Sequence, residues 1–470
     1  MSKISSMMDV GKRSLSNSQT ALQTVAHNIA NKTTEGYSRQ RVELTAATPI
    51  NEGRMQIGMG ARASQVTRTN NPWLEKQIQK ENMNLGYQDS KAESLARVEQ
   101  VYNEQLNKGL NIHVVEFFNA FRELANDPES LVSRTLVREN SDVMIKDFKR
   151  VNGQLESVQD DLDNQIKNVT GEINEIIKEL ADLNQRIQSV EIQNIPANDE
   201  RDRRDVLLKH LGEKIDISWA EGTDGMVTVT AAKNALLVTG TTAAEIKAKQ
   251  TDDRDRVELF YIPEKGKTPV NITDRVTGGR IGGALEVRDQ FVEKMKSNLD
   301  TVAYSLMKEV NKAHIEGFDR YGKKAALFFE MPDVEKGAAA KIELNQTISN
   351  DVGRIAAAAR PNASGDNTVA NLISSLQYSK MEGLGKATID DFYNTQVGMV
   401  GTMSQRAKNS LESQKEILKQ FDNIRESISG VSLDEETTKM LEFQKAYDAS
   451  ARLIRTADEM LDTVINLKRL

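Results

Sequence analysis

The two ends of the chain share the sequence feature that most constrains its fold, a repeat of apolar or small residues at alternating spacings of three and four. A 3,4 repeat places its members along one face of an α-helix, as in a coiled coil. We therefore predict a helix with a coiled-coil face at each end, with Gly11 and Ser18 allowing close helix approach. The N-terminal stripe comprises Ile4, Met8, Gly11, Leu15, Ser18, Leu22, Val25 and Ile29, and the C-terminal stripe Met440, Phe443, Tyr447, Ser450, Ile454, Ala457, Leu461 and Val464.

The sequence between the two stripes is mostly helical in pattern, with two exceptions. Residues 36–70 alternate apolar and polar side chains around Pro49 and several glycines, which predicts a hairpin-like excursion. Residues 214–275 contain short β-like runs separated by turn residues. The longest helical pattern runs from Phe148 to Val190, roughly 60 Å of helix. We therefore expect a mainly α, elongated protein with a small β-rich insertion.

Local signals predict where individual helices begin. Asn71 can cap a helix whose first residue is Pro72, and Ser432 with Glu435 forms a capping box ahead of the last helix. Together with the periodic patterns, these signals divide the chain into three expected parts: a terminal coiled-coil domain (1–35 plus 431–470), a helical rod-like domain (36–213 plus 276–430) with its hairpin region at 36–70, and a small β-rich domain (214–275).

Composition excludes several functional classes for this chain of 470 residues. Its net charge of −7 arises from well-mixed charges, so we expect no nucleic-acid partner. Cysteine is absent, which removes disulfides and cysteine-ligated zinc. No apolar run is long enough to cross a bilayer and no cleavable signal is visible, so we expect no membrane insertion and either a cytoplasmic location or export without a cleaved signal peptide.

Candidate catalytic and ligand-binding groups are weak. The four histidines, His27, His113, His210 and His314, lack metal-ligand spacing and are interpreted as surface or helix-face residues. The glycines of "TGGRIGGALEVRD" fit a turn and a helix start better than a phosphate-binding loop. Asp202 and Asp205 could act as an acid and base pair, but we interpret them as part of a solvated helix face. We therefore predict no enzyme activity, no cofactor and no metal.

Helices at the two ends of a chain have no further sequence to fold over them. Pairing two such helices would cover one face of each and leave flanks, among them Ala26, Ala30, Ala451 and Ile465, for another partner. We hypothesise that the chain associates with itself or with related chains. The termini would then become ordered when neighbours supply the missing surface.

Two terminal motifs resemble the axial proteins of the bacterial flagellum, and specifically the flagellar hook-associated protein 1 family. They are "NIANKTTEGYSRQ" at residues 28–40 and "SGVSLDEETTKMLEFQKAYDASARLIRTADEMLDTVINL" at residues 429–467. Internal stretches strengthen the resemblance: Asp202, Arg204, Asp205, Leu207 and Leu211 in one helix, and Asn311, His314, Gly317 and Asp319 after another. The family usually has a longer β-rich insertion after this last point, so the resemblance implies a reduced outward-facing part here.

The resemblance implies a structural subunit at the junction between hook and filament. N- and C-terminal helices of the family pair and stack around the axis of a tube, and "NIANKTTEGY" would connect this inner layer to the next. Implied partners are further copies in a helical ring or tube, the hook protein, the second hook-filament junction protein and an export chaperone at the C-terminal helix. The implied location is extracellular, on the flagellum. The predicted assembly interface comprises Leu15, Leu22, Val25, Asn28, Ile29, Asn31, Gly36, Tyr37, Phe443, Tyr447, Ile454, Leu461 and Val464.

Alternative functions remain open at this level. The chain could be another axial component, such as the second junction protein or a hook or rod subunit. A secreted coiled-coil adhesin or a type III translocator would place a binding module in the centre and would not need matched stripes at both ends. An enzyme carried on the flagellum would need a carboxylate pair in a cleft of the β region.

Overall fold

The computed structural model describes residues 2–52, 55–102, 109–251, 256–263 and 267–467. Helices dominate this part of the chain, and the strands form four small sheets. The predicted fold class, mainly α with a small β-rich part, is confirmed. Within the described ranges, no helix combines the length and apolarity needed to cross a bilayer.

The first third of the chain alternates long helices with one β excursion. Helix α1 leads into strands β1 to β4 at the predicted hairpin, where β1 pairs antiparallel with β4 and β2 with β3. Asn71 caps the next helix as predicted, because its Oδ1 accepts from the N–H groups of Trp73 and Leu74. The elements are α1 (Ser2–Ala30), β1 (Gln40–Ala46), β2 (Ile50–Glu52), β3 (Met55–Ile57), β4 (Ala61–Arg68), α2 (Pro72–Val101) and α3 (Leu110–Asn126).

The longest helix, α4 (Leu131–Glu191), has 61 residues and is therefore about 90 Å long. It begins well before the periodic stretch from Phe148 that predicted it. Helix α5 (Asn198–Lys214) follows, and then the predicted β-rich region begins. Its strands are β5 (Ile217–Glu221), β6 (Val227–Ala231), β7 (Ala235–Thr239), β8 (Thr242–Ala243), β9 (Glu245–Gln250), β10 (Val257–Ile262) and β11 (Val270–Asn271).

The glycines of "TGGRIGG" form a turn and a helix start, as predicted, with Gly279 in the left-handed region at φ +67°. A π-helical turn at Val287–Val292 joins α6 to α7. Helix α12 begins just after Ser432, where the capping signal placed it. The remaining helices are α6 (Gly279–Glu286), α7 (Glu293–Ile315), α8 (Ala338–Lys341), α9 (Gln346–Asn350), α10 (Thr368–Ser375), α11 (Ile389–Ser429) and α12 (Leu433–Leu467).

The chain forms two compact units. Unit 1 comprises Met1–Gly86, Val169–Gly279 and Ser413–Leu470, and unit 2 comprises Tyr87–Asn168 and Arg280–Glu412. The β-rich region and the terminal helices both belong to unit 1 in this grouping. The three-part division expected from the sequence stays a prediction.

In unit 1, α4 holds the β-rich region through two asparagine side chains. The Asn184 amide donates to the carbonyls of Val227 and Gly240, at 2.8 and 2.7 Å, and accepts from the Val227 N–H. Asn174 pairs in the same way with both backbone groups of Ile246. These amides satisfy backbone groups that would otherwise remain unpaired beside the helix.

In unit 2, a cluster of phenylalanines forms the centre of the core: Phe117, Phe118, Phe121, Phe328 and Phe329. His314 packs against Phe328 and is wholly buried, so it is not a surface residue and lies instead on the buried face of α7. Its Nδ1 lies 2.7 Å from the Ala326 carbonyl, and its Nε2 accepts from the Ala356 N–H at 2.8 Å. The side chain thus ties α7 to two loop segments. Burial lowers the pKa of His314 to about 4.

Candidate assembly interface

Helices α1 and α12 pack side by side in antiparallel orientation. Small side chains occupy most of the seam between them. Ser14 Oγ lies 2.7 Å from Ser450 Oγ, and Ala457 is fully buried. At Gly11, an added Cβ would lie 2.8 Å from Ile454 Cγ1 and 2.9 Å from Leu453 Cδ2. Glycine and serine therefore permit the close approach that the sequence predicted.

The larger apolar side chains of the two stripes flank this seam. Val25 is buried, whereas the others keep part or much of their surface accessible. Tyr447 is 36% exposed, Val464 40% and their neighbour Ile465 53%. The half-buried members are Leu15, Leu22, Ile29, Phe443, Ile454 and Leu461.

The hairpin formed by β1 and β4 packs against α1. Asn17 Nδ2 donates to the Ala61 carbonyl at 2.9 Å, and its Oδ1 accepts from the Ala63 N–H at 2.8 Å. Sequence reasoning missed Asn17, although an asparagine in the interior of a helix is a recognisable signal for a specific partner. Between α1, α12 and the hairpin lies a largely apolar groove of about 520 Å³, lined by Val10, Ala21, Val42, Leu44 and Phe443 among others.

Asn28 is the centre of the connection from α1 to the hairpin. Its Nδ2 donates to the Gln40 carbonyl and to Glu436 Oε2, both at 2.9 Å. Its Oδ1 accepts from the Gln40 N–H at 2.9 Å and from the Tyr37 hydroxyl at 2.7 Å. The amide is 1% exposed and fully satisfied, so it joins α1, the following turn and α12 at one point.

Ion pairs of Arg39 stabilise the same connection between the turn and α12. Arg39 Nε donates to Glu436 Oε1 at 2.8 Å, and its NH1 lies 2.9 Å from Glu435 Oε2. Burial, helped by the carboxylates of Asp199, Asp202 and Glu436, raises the pKa of Tyr37, so its hydroxyl keeps the proton that it donates to Asn28.

Glycine is required at position 36, where φ is +75° and a Cβ would lie 2.0 Å from Val206 Cγ2. The Gly36 carbonyl accepts from Arg425 NH2 at 2.8 Å. Arg425 and Lys209 both bind Glu75, at 2.7 and 3.0 Å. Burial raises the pKa of Glu75, but these two cations outweigh it and leave the pKa below its usual value. The backbone at Gly36 is therefore fixed by its close packing against Val206 and by the hydrogen bond from Arg425.

The turn after α1 is closed locally. Asn31 Nδ2 donates to the His27 carbonyl at 3.1 Å, and Asn31 Oδ1 accepts from Thr34 Oγ1. This end of the helix is capped by its own side chains, which accounts for the amide-rich sequence there.

Helix α5 binds the hairpin near Ser38 and Arg68, and its charges are not a solvated face, contrary to expectation. Asp202 is 6% exposed and Arg204 1%. Asp202 accepts from the Ser38 N–H at 2.8 Å and from Arg68 NH1 at 2.7 Å, and Asp205 accepts from the same Arg68 atom at 2.7 Å. Burial raises the pKa of Asp202 despite Arg68.

The Arg204 side chain contacts a different segment from the one that Asp202 and Asp205 contact. It donates to the Gly225 carbonyl at 2.9 Å and to Glu221 Oε2 at 3.2 Å, and thereby holds the turn between β5 and β6. The Asp-x-Arg-Asp pattern thus joins three segments of unit 1. Its carboxylates are occupied by structural partners rather than presented to a substrate. Within the described ranges, no group of three acidic or histidine side chains is arranged to hold a metal ion.

The structure brings Asn28 and Tyr37 together with Gln40 and Glu436, neither of which was among the predicted interface residues. Gly36 instead contacts Val206 and Arg425. Arg39 and Gln40 belong to the quoted "GYSRQ" motif, so their motif was visible but their partners were not. Glu436 follows the capping position and gave no separate signal. The predicted stripe residues lie on the same two helices but mostly outside the hydrogen-bonded centre.

Comparisons with known proteins agree with this architecture. Residues 95–329 match the family described as "Flagellar hook-associated protein FlgK helical domain", and residues 426–467 match "Flagellar basal body rod FlgEFG protein C-terminal". The chain is 30% identical to flagellar hook-associated protein 1 of Bacillus subtilis, over 98% of this chain and 97% of that protein. It is 23% identical to the Salmonella typhimurium protein of the same name, over 99% of this chain and 100% of that protein.

The fold is similar to a solved structure described as the flagellar hook junction protein FlgK from Burkholderia pseudomallei. The TM-score is 0.68 at 13% identity, covering 75% of this chain and all of that one. This likeness supports the fold, and the full-length sequence matches establish the relationship. The chain belongs to the flagellar hook-associated protein 1 family.

Proposed function

We propose that this chain is a structural subunit of the bacterial flagellum that forms the junction between hook and filament. The observation that carries the proposal is that α1 and α12 pair through small side chains and leave larger apolar side chains exposed. Small side chains fill the seam between the helices, while Tyr447, Val464 and Ile465 remain exposed. Exposed apolar side chains in such a row are suited to burial by a neighbouring subunit.

Further copies of the chain are the first neighbours we propose. The exposed flank of α12 would contact a different surface of the next copy, and such a head-to-tail contact would generate a helical ring or tube. The hook protein and the second hook-filament junction protein would cover the two open ends. The full-length relatives, which are named flagellar hook-associated protein 1, support this arrangement.

We also propose that an export chaperone covers α12 before assembly. Most of this helix is exposed, and its large apolar side chains would otherwise be open to solvent during transport. The chain would reach its extracellular position on the flagellum without a cleaved signal peptide. The match of residues 426–467 to a rod protein segment is compatible with another axial component, but the full-length relatives favour the junction.

The proposed function is tested first by deleting the gene and examining cells by electron microscopy. We expect hooks without attached filaments, and full filaments on these hooks would contradict the junction role. The second test replaces Tyr447, Val464 and Ile465 together by Ser in the chromosomal gene. Because these side chains are exposed, the isolated chain should keep its helical circular dichroism, while filament attachment is lost. The control variant carries Gln444→Ser and Thr463→Ser on the same helix and should assemble normally.

A further inference from the structure

The "TGGRIGGALEVRD" segment ends in an irregular part of a helix. After the eight residues of α6, the backbone passes through the π-helical turn Val287–Val292 before α7 begins. A π-turn holds one residue more than an α-helix of the same length would. One residue of α-helix corresponds to a rotation of about 100° and a rise of about 1.5 Å. The π-turn therefore gives α6 a different rotation relative to α7 from the one that an unbroken helix would give.

Helix α2 fixes the rotation of α6. At Gly283, an added Cβ would lie 2.5 Å from the Tyr87 carbonyl oxygen and 3.2 Å from the Lys91 nitrogen, so glycine permits the close approach. Glu286 accepts from Lys91 Nζ at 2.9 Å and from the Tyr87 hydroxyl. Gly283 and Glu286 are three residues apart and lie on the same face of α6. That face therefore has to point at α2.

Helix α4 binds the π-turn itself. Arg288 is 1% exposed, and its Nη1 donates to Asp163 Oδ1 at 2.6 Å. Its Nε and Nη2 donate to the two oxygens of Asp289, at 2.7 and 2.9 Å. Gln159, one turn before Asp163 on α4, donates its Nε2 to the Arg288 carbonyl at 3.3 Å. The side chain and the backbone carbonyl of the same residue are therefore both held by α4.

Helix α7 is the better anchored of the two helices that the turn joins. It buries 12 of its 23 residues, whereas α6 has eight residues in all. An unbroken helix would therefore keep α7 in place and rotate α6 by about 100°. Gly283 would then leave its contact with α2, and Arg288 would leave Asp163. Separating a buried arginine from its carboxylate is strongly unfavourable, since both buried charges lose a partner.

We propose that the π-turn is a register device built into unit 2. Its extra residue lets α6 pack on α2 while α7 packs in the core, and Asp163 and Gln159 of α4 select this form over an unbroken helix. Gly283 in the middle of the motif and Arg288 near its end serve the same purpose. All the residues that carry this inference belong to unit 2, so it stands whether or not the flagellar role is correct.

The first experiment deletes Gln290 from the full chain and measures hydrogen exchange by mass spectrometry. This side chain is exposed, so the deletion removes the extra residue and no buried group. We expect α6 amides to exchange at least about a hundredfold faster, while the amides of residues 299–313 stay within about threefold of wild type. Gln290→Ala is the matched control, because it changes the same side chain and keeps the length. It should exchange as wild type does throughout unit 2.

Three results of this experiment would overturn the proposal. Unchanged protection of α6 in the deletion variant would show that the extra residue does not set its register. Loss of protection in α7 as well would show that the turn is required for folding of the unit rather than for the position of α6. A Gln290→Ala variant that behaves like the deletion would show that the side chain matters and the length does not.

The second experiment tests whether α4 selects the π-helical form, and its main variant keeps the chain length. Asp163→Asn should accelerate exchange at residues 287–292 about tenfold, because Arg288 loses a charged partner. Asp161→Asn, at an exposed position of the same helix, should have no effect. In the Gln290 deletion background Asp163→Asn should add nothing further, since the pair is already separated. Equal effects in both backgrounds, or none in either, would contradict a role for the pair in holding the turn.

Discussion

At the scale of single residues, Asn28 connects parts of the chain that are 408 positions apart. Every donor and acceptor of its amide has a partner, two of them on the Gln40 backbone and the others on Tyr37 and Glu436. The sequence identified Asn28 through a family motif, but the partners Gln40 and Glu436 depend on how three segments meet. Periodicity along one segment does not show which residues of distant segments come into contact.

Replacing Asn28 with Ala should destabilise unit 1 by about 2 to 4 kcal/mol, because a buried N–H and a buried carboxylate lose their partner. The Gln40 amide proton, which now donates to Asn28, should exchange at least about tenfold faster. Hydrogen exchange resolved by NMR or mass spectrometry measures both effects. Asn31→Ala is the matched control, since Asn31 bonds only within its own turn, and it should change stability by under about 1 kcal/mol. Equal effects of the two substitutions would contradict this account.

His314 makes the stability of unit 2 depend on pH. Its folded-state pKa of about 4 lies below the ordinary value of 6.5, so the unfolded chain takes up the proton first. Stability should therefore be constant above pH 6.5 and fall as the pH drops toward 4, by an amount on the order of 3 kcal/mol. The measurement is the urea midpoint of unit 2 across this range. His314→Gln should lower the midpoint at pH 7 but remove this pH-dependent loss, whereas His210→Gln, on the surface, should retain it.

At the scale of elements, the start of α2, the hairpin, the β-rich region and the last helix were predictable, because capping residues and alternation act locally. The seam between α1 and α12 was predictable only in part. The stripes identified the correct faces, and Gly11, Ser18 and Val25 are buried as members of a packed face should be. The larger stripe residues do not dominate the seam, since its close spacing leaves room for small side chains only.

Gly11→Leu should separate α1 from α12, because even a Cβ would lie under 3 Å from Ile454 and Leu453 side-chain atoms. We expect α1 amides to exchange about tenfold faster or more, consistent with a cost of 1 to 3 kcal/mol for overpacking. Gly171→Leu is the matched control in unit 1, since a Cβ there meets no atom within 4 Å. That control should be neutral or stabilising because leucine favours helix more than glycine does. Unchanged exchange in the Gly11 variant would mean that the helices do not pack as described.

At the scale of the whole molecule, the 3,4 periodicity correctly predicted a mainly helical chain. The charged pattern of α5 was misread, because charge spacing on one helix is the same whether its partners are water or Arg68. For His314 the sequence left surface and helix face open, because one histidine among the mixed polar and apolar residues of α7 gives no information about the loops that fold over it. Burial of polar groups is a property of the assembled unit.

The terminal helices should be the least protected part of the isolated chain. Few residues of α12 are buried, whereas α4 and the β-rich region have extensive cores. In dilute monomer we expect residues 2–30 to exchange their amide protons within seconds to minutes, and residues 169–187 to resist for hours. Assembly into the flagellum should slow exchange in the terminal helices. Strong protection of both segments in the monomer would contradict coupling of order to assembly.

The contact between Ser14 and Ser450 spans 436 positions, so the two halves of the seam are far apart in any growing or emerging chain. Whichever terminus becomes available first has to wait for the other before this surface exists. Closing so long a loop depends on prior folding of the intervening units, which shorten the effective distance. We therefore expect the pairing of α1 with α12 to be a late event in folding, after the segments between them have formed.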